Sequence, residues 1–227
     1  MQFNNPQYSA VSSRESVLSA NQVLRKTYFL LSLTLLFSAF VSFVTMAGFL
    51  PIMVNPLLTI VGMFGLLFLT QSLRNSKWGL TAIFAFTGFM GYILAPLIIT
   101  YLHAYQNGAV LVTTALGGTG AIFLSLSAYV LVSRKDFSYM GGFLFAAITA
   151  AFLASVASLF LNIPLLPVLI SGAFVLISSG LILFQTSQII NGGERNHIMA
   201  TITLYVALFN LFISLLNILS FFAGRRS

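Results

Sequence analysis

Ten basic and three acidic side chains punctuate 227 residues, and they leave four long stretches without any charge: 27–73, 78–133, 137–193 and 196–224. A helix needs about 20 apolar residues to cross a hydrocarbon core roughly 30 Å thick. Windows of 47, 56 and 57 residues each hold two crossings and a turn, and the last, of 29, holds one. The spacing predicts an all-α, polytopic membrane protein with seven transmembrane helices. Each long window has breakers at its middle: Pro51, Asn55 and Pro56; His103, Gln106, Asn107 and Gly108; Asn162, Pro164 and Pro167.

The hairpins at those breakers carry no Lys or Arg. The opposite ends carry Arg14, Arg25, Lys26, Arg74, Lys77, Arg134, Lys135 and Arg195, eight bases on one side. Such an excess faces the cytoplasm. An odd number of spans then sends the C-terminus to the periplasmic side, against the minor pull of Arg225 and Arg226. Residues 1–24 read as a flexible, serine-rich cytoplasmic tail, 25–223 as a single seven-helix domain whose first span is an uncleaved signal anchor, and 224–227 as a short C-terminal tail.

Only 6% of the residues are charged and mean hydropathy is +1.01, against roughly 25% charged in a soluble domain. The net charge of +7 is scattered in twos and threes at helix ends. It reads as a topology signal and headgroup contact rather than a nucleic-acid surface. The absence of cysteine excludes disulfides and thiolate metal sites.

Helices are expected at about 26–49, 53–72, 79–102, 109–133, 140–161, 164–190 and 198–222. In lipid, close helix packing depends on small residues. Span five offers two ridges, Ala147, Ala151 and Ser155, and Ala150, Ala154 and Ser158; span four has the run Gly117 to Ala121; span three has Gly88 and Gly91 ahead of Pro96. Span seven repeats polar groups at Thr203, Asn210 and Asn217 with Ser214 in the same stripe, a face expected to point into the bundle. With Gln185 and Gln188 of span six it forms a candidate buried polar seam. Interhelical hydrogen bonding, worth about 0.6 kcal/mol per contact, is its first reading, and a lining for an ion or proton path its second.

No Asp, Glu, Lys or Arg falls inside a span, although coupled transport usually keeps one at depth. Glu15, Asp136 and Glu194 lie beside bases in loops, and His103 and His197 fall on opposite faces. No zinc-protease, serine-hydrolase or phosphate-loop motif is present. The chain reads as a non-enzyme with no catalytic, metal or cofactor residues.

Three stretches together are similar to the Bax-inhibitor family of multispanning membrane proteins: Thr87-Gly88-Phe89-Met90-Gly91 with Pro96, Arg134-Lys135-Asp136-Phe137-Ser138 with Gly141-Gly142, and Leu204-Tyr205 with Asn210-Leu211-Phe212. The segments Val23 to Leu35 and Ile189 to Glu194 most resemble the family's bacterial modulators of the FtsH protease. The resemblance implies six helices around a central last one. It also implies an inner-membrane protein that associates with FtsH and its HflK/HflC partners. Calcium-leaking members are thought to use an aspartate pair sharing a proton; the motifs align Gln185 and Ala207 with those positions, and neither titrates. The resemblance therefore favours protease modulation over a calcium or proton leak.

Overall fold

From Gln7 to Met46 the chain holds neither glycine nor proline, so nothing in it stops a helix once Pro6 has preset the first backbone angle. One helix, α1, runs Pro6–Met46. The computed structural model describes residues 6–52, 55–158, 160, 161, 163 and 165–224, with side chains described only from Ala20 onward. The tail expected to be flexible is thus helical from Pro6 on, and among the described side chains of α1 the stretch Ala20–Met46 is long and apolar enough to cross a membrane. The sequence of residues 6–19 is polar, yet after Pro6 it holds no glycine or proline that would break the helix. The described helices after α1 are α2 (Pro56–Leu73), α3 (Gly79–Ala104), α4 (Gly108–Ser133), α5 (Met140–Ser158), α6 (Leu166–Ile190) and α7 (His197–Gly224). All seven are long and apolar enough to span a bilayer.

The hairpins form where the breakers lie. At the end of α1, Gly48 takes φ +84°, and the Phe49 N–H reaches back to the Val44 carbonyl at 3.2 Å, closing the last turn. The Asn55 carboxamide oxygen then accepts the N–H groups of Leu57 and Leu58 at 3.0 and 3.4 Å, with Pro56 in the first turn of α2. The breakers Asn162 and Pro164, and the bases Arg225 and Arg226, lie outside the described residues.

In the core α7 packs against α6, α4, α1 and α3, while α2 packs chiefly on α3 and α5 on α6. Leu30 and Leu31 of α1, Phe86 of α3, Ile182 of α6 and Leu204 and Leu211 of α7 are buried together. On the remaining side of α7, a groove of about 230 Å³ is bordered by Leu67 and Gln71 of α2 and Ile148 of α5. Outward-facing α2 exposes Leu57, Leu58, Phe64 and Phe68. In a bilayer that is an ordinary lipid-facing surface.

The close crossing is between α1 and α3. A Cβ placed on Gly91 would lie 2.2 Å from the Ser38 carbonyl oxygen, so only glycine permits this approach. The small-residue reading of span three therefore holds, and in α5 the ridge with Ala151 is the more buried of the two. Span four differs: Gly117 and Gly120 have no neighbour within 4 Å of a built Cβ, and only Gly118 faces α7, through Leu215. Gly120 lines a groove of about 340 Å³ between α1, α4 and α7. The glycine run borders open space instead of a tight crossing.

Candidate functional site: polar groups within and below the bundle

The polar seam read from the sequence does not converge on one point. Gln185 is buried in α6, five residues before that helix ends, and its Nε2 has no hydrogen-bond partner among the described residues. Gln188 is half-buried and donates Nε2 to Ser138 Oγ at 2.9 Å, holding the α4–α5 loop. Asn217 is half-buried and accepts the Tyr101 hydroxyl. It lies 20 residues beyond the start of α7, about 30 Å along the helix at 1.5 Å per residue. Gln185 and Asn217 thus belong to opposite ends of the bundle. Asn210 is half-buried, Ser214 and Ala207 are buried, and no side-chain hydrogen bond joins these three.

The asparagine stripe also sits differently from its expected place. Thr203, Asn210 and Asn217 occupy a half-buried flank of α7, while Thr201, Leu204, Tyr205, Leu208 and Leu211 hold the packed face. That face has its own polar partners. Tyr205 shares a 2.7 Å hydrogen bond with Ser38 of α1, and its hydroxyl lies 3.4 Å from the Thr87 carbonyl of α3. Thr201 Oγ1 donates to the Thr27 carbonyl at 3.3 Å and the His197 carbonyl at 2.7 Å. Tyr28 and Thr186 hydroxyls are 3.4 Å apart, tying α1 to α6.

Sequence reasoning missed this arrangement, although its signal was present. Thr27, Thr34, Ser38, Ser42 and Thr45 recur at helical spacing on one face of α1, and all five are buried. They form a hydroxyl stripe facing the core. Buried hydroxyls without partners are costly in hydrocarbon, so those that pair across helices hold the register of α1, α3 and α7.

At the face carrying the basic loops, polar residues do loop-holding work. Asn196 accepts the Ile198 and Met199 N–H groups at 2.9 and 3.1 Å, capping α7. Its Nδ2 reaches the Arg74 carbonyl at 3.0 Å and so ties the α2–α3 turn to the start of α7. Ser187 Oγ accepts the Phe137 N–H at 2.8 Å and donates to the Lys135 carbonyl at 3.3 Å.

Asp136 is exposed in the same loop, and its carboxylate accepts both the hydroxyl and the N–H of Ser138, at 2.5 and 2.8 Å. The Ser138 hydroxyl foremost, then its N–H, hold the carboxyl below its ordinary value of 3.8. A lowered acid keeps this turn ordered above the ordinary value, and the order is lost as pH falls through the lowered one. Amide exchange at Ser138 is therefore expected to quicken below pH 3.8 beyond its intrinsic trend. In Asp136→Asn that extra acceleration should vanish.

The family model described as inhibitor of apoptosis-promoting Bax1 matches residues 20–224. This chain belongs to the Bax-inhibitor family. The family match takes in the candidate membrane span of α1 and runs to the end of α7. Among family relatives, the chain is 51% identical to the Modulator of FtsH protease YccA of Escherichia coli K12, over 94% of this chain and 96% of that one. It is equally identical, over the same shares, to a protein of E. coli O6:H1 named Inner membrane protein YccA. It is 50% identical to the uncharacterized protein PA2604 of Pseudomonas aeruginosa, over 95% of each. These relatives and the seven apolar helices make it a multi-pass inner-membrane protein of the family.

Proposed function

We propose that this chain is a regulatory subunit of the inner membrane that associates with an FtsH-type protease, and with HflK/HflC-type partners, and restrains proteolysis of other membrane proteins. The observation that carries this reading is the 51% identity, across 94% of the chain, to a protein named for modulating FtsH. Two structural features support it. Apart from Arg25 and Lys26, which lie within α1 close to the start of its candidate span, the described charged side chains lie in loops and at helix ends, which suits a scaffold better than a transporter. In addition, α1 runs for 14 residues, Pro6 to Ser19, ahead of the candidate span Ala20–Met46, about 21 Å of helix at 1.5 Å per residue. In this reading the extension lies on the cytoplasmic side with the basic loops and offers the protease a handle, while α7 ends in the periplasm.

The ion-leak alternative is weaker, because Gln185 and Ala207 stand where the resemblance places a titrating aspartate pair. Tagged protein purified from membranes under mild detergent is expected to bring FtsH with it, and its overproduction to lengthen the half-life of a membrane substrate of FtsH at least severalfold. Intact bundle recovered without FtsH, together with an unchanged substrate half-life, would overturn the proposal.

A further inference from the structure

On the face with the basic loops, the stretch of α1 from Ala20 to Lys26 meets the α6–α7 connection around a pocket of about 230 Å³. Two segments some 170 residues apart in sequence supply its lining, Lys26 from α1 and Glu194, Arg195 and His197 from the connection and the first turn of α7. Val23 and Ile189 form an apolar wall. We propose that this pocket binds the phosphodiester headgroup of an anionic phospholipid, with phosphatidylglycerol as its simplest representative.

Depth is the first argument. Lys26 immediately precedes the charge-free window 27–73, and Arg195 immediately precedes the window 196–224, so both sit where hydrocarbon gives way to headgroups. Exposed Trp78, on the same face, marks the same level. Availability is the second argument. Among the described residues, no ion pair ties Lys26 or Arg195 to an acid; the Glu194 carboxylate instead accepts the Asn196 N–H at 2.7 Å. Basic pockets between helices at this level are suited to lipid phosphates.

Charge selects the ligand further. Lys26 and Arg195 contribute two positive charges and Glu194 one negative, so with neutral His197 the lining carries a net +1. That matches the single charge of a phosphodiester rather than a phosphate monoester, which carries about −1.5 to −2 at neutral pH. The apolar wall favours a lipid source over free phosphate, because the glycerol of a lipid can lie against half-buried Val23 whereas free phosphate gains nothing from an apolar side chain.

The test is native mass spectrometry of the full chain in uncharged detergent, titrated separately with phosphatidylglycerol, phosphatidylcholine and inorganic phosphate. Saturable binding of phosphatidylglycerol is expected. It should weaken at least about tenfold in Lys26→Gln/Arg195→Gln and partly in Arg195→Gln alone. The charge-matched control Arg74→Gln/Lys77→Gln, on the same face, should retain it, with unchanged melting in all three variants. Equal binding of phosphatidylcholine, equal loss in the control, or full competition by equimolar inorganic phosphate would each overturn the assignment.

Discussion

Replacing Gly91 with leucine is expected to destabilise the bundle by about 3 kcal/mol or more, the upper end of what overpacking costs. A single added carbon already falls 2.2 Å from the Ser38 carbonyl oxygen, and the obstacle is backbone, which cannot rotate away. To make room, α1 and α3 must separate. Separation also breaks the 2.7 Å hydrogen bond between Ser38 and Tyr205, so the change disturbs α7 as well. Gly88→Leu should cost less, because its obstacle is the Phe37 ring at 2.8 Å and a ring can swing. Gly117→Leu should be neutral or slightly stabilising, since that glycine is exposed with nothing within 4 Å and leucine is the better helix former. Thermal melting of the three detergent-solubilised variants decides the matter. Gly91→Leu and Gly117→Leu melting together would mean that α1 and α3 do not cross as described.

Ala207→Asp is expected to lower the amount of folded protein in the membrane severely. Ala207 is fully buried and is the eleventh residue of α7, about 15 Å along the helix and so near the middle of a hydrocarbon core roughly 30 Å thick. A carboxylate at that depth costs about 2.5–3.5 kcal/mol on insertion scales, and the site is packed, which adds strain. Ala207→Ser, nearly isosteric and able to bond back to its own helix, separates polarity from charge. Its melting temperature should stay close to that of the parent. Equal accumulation of the Asp and Ser variants would show that this position is wetter than its burial implies.

How much of this was legible beforehand follows from what each signal measures. The charge-free windows report solvent directly, and so the seven spans and their hairpins came out with boundaries close to those observed: α3 begins at Gly79 and α6 ends at Ile190. Helicity beyond the membrane was harder to see. Residues 6–19 are polar enough to look like a tail, yet the absence of any breaker lets α1 continue through them. The candidate site was read from residue type, which drew attention to asparagines and glutamines. Asn210 and Asn217 lie on a flank, and Gln188 braces a loop. Hydroxyl residues passed unnoticed because serine and threonine can satisfy themselves within a helix, as Thr34 does on the Leu31 carbonyl at 2.9 Å. Only the packing shows that the Ser38 hydroxyl meets α7 and that the Thr27 carbonyl accepts a hydrogen bond from it.

The junction of Ser38, Tyr205 and Thr87 joins three helices through neutral groups alone. Transmembrane voltage acts on charge, at about 2.3 kcal/mol per elementary charge per 100 mV, and a hydroxyl junction offers it nothing to pull on. Energised and de-energised membranes should therefore hold the same arrangement of these helices.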